Sequence, residues 1–395
     1  MCLGLRLPDH RRPVSDFSNR AFEKPGSRTG RKRALMRRHL LAAIATLAAV
    51  FASAQAPSTD QIIEQHIAAR GGREKIAALR SIVIRGEYRE GGYVSPTATM
   101  ALMRPYYKLV GDPDQKIGDF AEGYDGSAWE YYADPGVVLR TVGAASAAGR
   151  HRARFDHPLI DYRRQGTEVR LLGTATVGER PAYRLLMTLQ DGFREEALID
   201  QQTFLLLAER KAAPIHAFGE KVTTETRFAD YRPVEGVLFS YLSTEVEIGT
   251  GRVLNEFRTK SITANHDYDP RTFSPPEFVR TPLQRVLEQL YAERADAQAV
   301  MWSYADFRRG FPSVDSREGI EMIGYQMLKM GDVAVAVELL EANAKDYPQS
   351  AGAAFGLGRA YKTAGDRPRA REEFQRALKL DPTHKRAADA LKSLP

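Results

Sequence analysis

His157 and Asp161 stand four residues apart, the spacing at which a general base and an orienting carboxylate share one face of a helix. Pro158 between them favours a helix start instead, with both side chains in structural roles. Gly356-x-Gly358 lacks the third glycine of a dinucleotide loop and falls inside a helical pattern. Asp125, Glu195, Glu196 and Asp200 offer carboxylates, but beside turns and on strand exteriors, where such groups are ordinarily solvated. There is no Gly-x-Ser-x-Gly elbow, Ser-x-x-Lys, His-Glu-x-x-His or phosphate loop. The expectation is a non-enzymatic protein with no catalytic residue, no metal and no cofactor.

The single cysteine, Cys2, lies in a basic leader. A chain cut after that leader has no disulfide, no thiol nucleophile and no cysteine to carry a lipid anchor. Met36-Arg37-Arg38-His39, the apolar run Leu40 to Val50 and the small-x-small triplet Ala52-Ser53-Ala54 read as a signal peptide. Cleavage before Gln55 is expected, with residues 1–35 a long basic leader or a start codon placed too early. The apolar run falls short of the ~20 residues of a membrane span. A periplasmic or secreted location follows. The first 54 residues hold 11 Lys and Arg against 3 Asp and Glu, so the formal net charge of +7 becomes about −1 in the remainder. The basic pI therefore gives no reason to expect nucleic acid or anionic membrane as a partner.

What must position any site is mostly strand. Residues 168–200 form two apolar and β-branched runs broken at Gly178-Glu179-Arg180-Pro181 and rejoined at Asp191-Gly192, a strong hairpin signal. Similar runs extend over roughly two hundred residues, giving about a dozen antiparallel strands. Ser58-Thr59-Asp60-Gln61 has capping-box spacing and opens a helix ending at Gly71-Gly72. Residues 144–165 have helical character and can cover the open face of a curling sheet. Alternation places Ile82, Ile84 and Tyr88, then Met100 and Leu102, Trp129 and Tyr131, and Leu185 and Met187 on apolar faces. Such faces are either core under helices or a cavity for an acyl chain. Met100, Leu102, Trp129, Tyr131, Leu185 and Met187 are the candidate ligand-binding residues.

The His66-x-x-Ala69-x-Gly71-Gly72 helix, Tyr124-Asp125-Gly126-x-x-Trp129, the Gly178 to Tyr183 hairpin, Ile199-Asp200-x-x-Thr203 and Asp230-Tyr231-Arg232-x-x-x-Gly236 resemble the periplasmic outer-membrane lipoprotein-sorting class. The resemblance implies an α+β, LolA/LolB-like half-barrel over residues 55–270, an unclosed antiparallel barrel with a helical lid over a hydrophobic cavity. A lipid or acyl ligand is its implied partner.

Four prolines mark residues 271–282 and their border as a linker, with the regions on either side expected to fold separately. Beyond it a pattern recurs at a spacing of 34, with Gly324 and Gly358, Gly331-Asp332 and Gly365-Asp366, Ala336 and Ala370, Pro348 and Pro382. This is similar to the tetratricopeptide repeat (TPR) and implies an all-α domain with two repeats in residues 316–395. Two repeats bury too little alone, so residues 283–315 are expected to stack beside the first. By the family's geometry Glu321, Tyr325, Lys329, Phe355, Arg359 and Lys362 line a concave groove, either a seat for an extended or acidic peptide or a solvated face. Two functions stay open: a carrier with a hydrophobic ligand in the half-barrel and a protein partner on the repeats, or an envelope adaptor with a filled barrel.

Overall fold

Helix α1 (Thr59–Ala69) begins at a capping box, in which the Ser58 hydroxyl accepts from the Gln61 N–H and the Gln61 side chain accepts from the Ser58 N–H. Its buried face is Ile62, Ile63, His66 and Ile67. A one-and-a-half-turn helix, α2 (Arg73–Ala78), leads into β1 (Ser81–Glu90), β2 (Tyr93–Met103), β3 (Tyr107–Val110), β4 (Phe120–Tyr124), β5 (Ala128–Tyr132) and β6 (Val137–Arg140). Helix α3 (Gly143–Arg152) and a series of turns to residue 166 carry the chain to β7 (Glu168–Val177). The strands β8 (Arg180–Thr188), β9 (Arg194–Asp200), β10 (Leu206–Pro214), β11 (Lys221–Val234), β12 (Val237–Glu247) and β13 (Val253–Ala264) follow. This computed structural model describes residues 57–394, apart from 92, 112–119, 215 and 218–220. The leader and the cleavage site lie outside the described residues.

All thirteen strands join one antiparallel sheet in the order β6-β5-β4-β3-β2-β1-β13-β12-β11-β10-β9-β8-β7. The chain enters at the centre, meanders to one edge, crosses to the other and meanders back. β6 and β7 form the two edges, so the sheet is not closed into a barrel, as expected. Among the described residues only the crossover between them is neither a hairpin nor the central pairing, and it runs over one face. There α3 approaches so closely that a Cβ on Gly149 would lie 2.5 Å from that of Ala128 in β5. Of the helical stretch expected over residues 144–165, only the first half is helix.

The carboxyl-terminal region is helical: α4 (Pro282–Glu293), α5 (Ala297–Gly310), α6 (Arg317–Met330), α7 (Val333–Asp346), α8 (Ala351–Ala364), α9 (Arg367–Leu380) and α10 (Lys385–Lys392). The pairs α6–α7 and α8–α9 are the two repeats, each turn made by a left-handed glycine, Gly331 and Gly365. Helices α4 and α5 form a third pair packed against α6 and α7, supplying the expected missing neighbour. Gly356-x-Gly358 is packing, not a nucleotide loop. A Cβ on Gly358 would meet the Phe374 ring at 2.7 Å, and one on Gly356 would meet Glu321 at 3.0 Å.

The stretch read as a linker is bound to the sheet. Phe273 is fully buried with Trp129, and the Trp129 indole donates to its carbonyl at 2.9 Å. Glu288 of α4 accepts from the Val138 N–H at 2.7 Å, and Gln284 donates to the Pro135 carbonyl at 2.9 Å. Val137, Leu139 and Ala217 belong to the same apolar core as Leu287, Leu290 and Tyr291 of α4. The two regions share an apolar core, whereas the sequence led to the expectation of a linker between separately folding regions.

Candidate functional site

Pairing partners on neighbouring strands point to the same side of a sheet, so the register sorts the candidate ligand residues. One row across the sheet reads Met100, Val110, Glu122, Glu130, Leu139, and the next Leu102, Lys108, Tyr124, Ala128. Ala128 is the residue under α3, so these rows belong to the helix-covered face. Ala101, Leu109, Gly123 and Trp129 form the alternate row. Trp129 and Tyr131 therefore lie on the opposite face from Met100 and Leu102, packed with Phe273 and Phe278. Leu185 and Met187 sit in yet another core with Ile62, Ile63, Leu159 and Ile160 of the covering segments. Of the six residues expected to line one cavity, Trp129 and Tyr131 lie on the opposite face of the sheet from the rest. Period-two alternation shows which residues of one strand share a face, but not how that face matches the next strand's.

The covered face is also far from uniformly apolar. Lys108 donates to Oε1 of Glu122, both side chains nearly buried. Burial pulls the Glu122 carboxyl up, but Lys108, Arg152 and His216 outweigh it and hold it at about 2. Further along, His157 is 2.9 Å from Glu209, and Arg154 is 3.8 Å from Glu195. Burial, with the Glu209 charge beside it, pushes the Glu195 carboxyl above its ordinary range. Burial opposes ionisation of Glu209 as well, but its hydrogen bond to His157 brings it below the usual value. His66 faces this group with its ring 6.0 Å from that of His157. Its Nδ1 lies 2.8 Å from the Phe204 carbonyl, while Nε2 is buried without a partner. Burial foremost, then His157 and Arg70, depress its pKa to about 3, so the ring is neutral and Nδ1–H is the donor.

His157 and Asp161 are not brought together, since Asp161 pairs with Arg73 at 2.5 Å. Asp125 pairs with Arg140, Glu196 with Arg184, and Asp200 accepts from the Gln202 and Thr203 N–H groups in its turn. Each has a partner close by in the fold. Glu195 alone of the four is buried in a charged cluster.

Three residues that no sequence motif linked do converge. Glu122, Glu130 and His216 place one potential ligand atom each within 4.8 Å of one another, the group among the described residues that could hold a metal ion. Both Glu130 oxygens accept from the Ala217 N–H at 2.9 Å, and Oε2 accepts from Tyr132 at 2.6 Å. His216 and Ala217 lie between β10 and β11, far along the chain from β4 and β5, so spacing carried no signal.

The second candidate region is the concave side of the repeats. A groove of about 590 Å³ is lined by Glu318, Glu321, Met322, Tyr325, Phe355, Arg359, Arg386 and Asp389. The Arg359 guanidinium stacks 3.5 Å from the Tyr325 ring centre, and Arg386 lies 5.1 Å from that of Phe355. Burial lowers the pKa of Arg359 and raises that of Glu321. Four of the six expected residues, Glu321, Tyr325, Phe355 and Arg359, line the groove together. Lys329 reaches the edge of it, 5.4 Å from the Tyr325 ring. Lys362 is drawn off to the Ser393 hydroxyl at 2.8 Å. Glu318 and Met322 were legible as further members of the helical stripe through Tyr325. Arg386 and Asp389 were not, because α10 follows the last repeat.

The tetratricopeptide repeat family model matches residues 327–394. No curated protein matches the chain in sequence. Among solved structures, an outer membrane lipoprotein-sorting protein domain from Vibrio parahaemolyticus is 11% identical, with a TM-score of 0.37, over 54% of this chain and 94% of its own. A LolA superfamily protein from Nitrosomonas europaea is 13% identical, with a TM-score of 0.36, over 56% of this chain and 99% of its own. An O-GlcNAc transferase from Thermobaculum terrenum is 21% identical, with a TM-score of 0.21, over 28% of this chain and 21% of its own. The expected repeat at the carboxyl end is met by the family model. No helix among the described residues is long and apolar enough to cross a membrane.

Proposed function

We propose that this protein is a non-enzymatic adaptor, exported by its leader sequence, whose repeat groove holds an extended protein segment and whose half-barrel is a filled scaffold. The observation that carries the reading is the groove, where Tyr325 and Phe355 present rings beneath Arg359 and Arg386 with Glu321 beside them. Flat guanidinium groups held on aromatic faces are ordered before a partner arrives, so little side-chain entropy remains to be lost on binding. Their free edges suit carboxylates and backbone carbonyls of an extended peptide.

The charges of the covered face argue against a lipid there. An acyl chain placed beside Lys108, Glu122 and Glu209 would leave charged groups facing hydrocarbon. A chain entering between Leu185, Met187 and the covering segments would have to displace Leu159 and Ile160, both buried.

Two measurements on the full chain test the reading. Acidic peptides of about ten residues, long enough to span a repeat groove, should bind the parent and be lost on Arg359→Glu. A fluorescent fatty acid should not bind, and Leu185→Trp should overpack a filled core at a cost of ~1 to 3 kcal/mol. Fatty-acid uptake by the parent that Leu185→Trp abolishes without loss of stability would replace the adaptor with the carrier.

A further inference from the structure

In the cluster of Glu122, Glu130 and His216 the imidazole is within ion-pair range of both carboxylates but hydrogen-bonded to neither. His216 Nδ1 is buried and lacks a hydrogen-bond partner, although about a third of its side chain is exposed. That nitrogen lies between the two carboxylates, 3.8 Å from Oε1 of Glu130 and 4.0 Å from Oε2 of Glu122. These distances are too long for hydrogen bonds. Three donors at this spacing surround a point roughly 2 to 2.5 Å from each, the span of metal–ligand bonds.

We infer that Glu122, Glu130 and His216 form a binding site for a divalent transition-metal ion of the zinc class, one that clasps the sheet to the helical region. One imidazole nitrogen with two carboxylates suits zinc better than calcium or magnesium, which prefer all-oxygen sites. The surroundings orient the ligands as metal sites require. The Ala217 N–H and the Tyr132 hydroxyl fix Glu130. Lys108 occupies Oε1 of Glu122 and leaves Oε2 toward His216. Lys108 and Arg152 offset much of the carboxylate charge, so the affinity expected is weaker than that of a dedicated structural zinc site.

The ion would join elements already in contact. Glu122 and Glu130 come from β4 and β5 near one edge of the sheet, and His216 from the connection after β10 on its other wing. Ala217, next to His216, accepts from the Tyr291 hydroxyl of α4 at 3.2 Å. An ion here ties both wings of the open sheet to the first helix of the carboxyl-terminal region.

The test uses chelator-stripped full-length protein. Calorimetric titration with zinc chloride should give one site per chain, with the affinity reduced at least tenfold in His216→Ala and in Glu130→Gln. Zinc should raise the melting temperature of the parent and leave that of His216→Ala unchanged. Glu130→Gln keeps an acceptor for the Ala217 N–H, and circular dichroism of both variants without metal shows whether they are folded. Cobalt substituted for zinc should give a visible absorption band in the parent alone. Equal zinc binding by the parent and His216→Ala, or no binding by the parent, would overturn the assignment.

Discussion

The two halves of this molecule are filled by opposite means. The repeats bury mostly small and apolar residues, with Ala336, Ala360, Ala370 and Ala377 fully inaccessible beside Leu339 and Phe374, and the uncharged Asn343 among them. The covered face of the sheet buries Lys108, Glu130, Glu195 and His66 as well as its aliphatic residues. Helices packed in pairs need only small residues at the crossings, and a local sequence period supplies them. A sheet open at both edges must instead be held to a crossover that spans its width. Buried ion pairs contribute little net stability, because desolvation offsets the attraction. They are selective about geometry, however, since each one fixes which crossover residue meets which strand.

The largest effect is expected where the two halves meet. A chain truncated after Thr272 loses Phe273, whose burial alone is worth about 3 to 5 kcal/mol by analogy with Phe→Ala changes in cores. It also loses the Glu288 cap on β6 and the cover over Val137 and Leu139. We expect no cooperative thermal transition by circular dichroism for this fragment. A fragment that melts cooperatively near the parent temperature would restore the view of two independent domains.

The next effect separates the halves by pH. His66 is depressed to about 3 in the folded protein, against an ordinary value near 6.5. Above 6.5 the ring is neutral in both states and this contribution is intact. As pH falls through 6.5 the unfolded chain takes up a proton that the folded chain refuses, so stability declines by about 1.4 kcal/mol per unit until the folded value is reached. Arg70 and His157 oppose that proton and Glu209 favours it. His66→Gln keeps a donor for the Phe204 carbonyl and cannot titrate. Urea melts between pH 7 and 4 should therefore show a shallower decline for the variant than for the parent. Parallel declines would mean that the ring is solvated, and the covered face looser than its burial implies.

How much of this was legible in the sequence follows the same division. The repeats were readable down to individual groove residues, because their contacts recur at one spacing and the side chains at i, i+3 and i+4 meet by helix geometry alone. The strands were legible as elements, and the capping box at Ser58 and the Asp191-Gly192 turn lie where expected. The filling of the sheet was not. Whether Trp129 shares a face with Met100 depends on the register of three intervening pairings, and the burial of Glu122 depends on a crossover landing on it. Phe273 illustrates the same limit, since four nearby prolines signalled a linker but not what that linker would lie against.

The smallest effect, and the one that most sharpens the comparison, concerns the groove. If the charges on the sheet are structural and those on the repeats await a partner, the two sets should respond differently to conservative change. Arg359→Lys keeps the charge and removes the flat guanidinium that stacks on Tyr325. A cation on an aromatic face is worth about 0.5 to 1 kcal/mol where solvent reaches it, so the melting temperature should fall by only a few degrees. Peptide affinity should fall further, roughly tenfold, because an ammonium cannot offer the paired donors of a guanidinium to a carboxylate. A variant that loses ~2 kcal/mol or more of stability, with unchanged peptide affinity, would place Arg359 among the structural charges. The groove would then resemble the covered face of the sheet, and the contrast between the two halves would not hold.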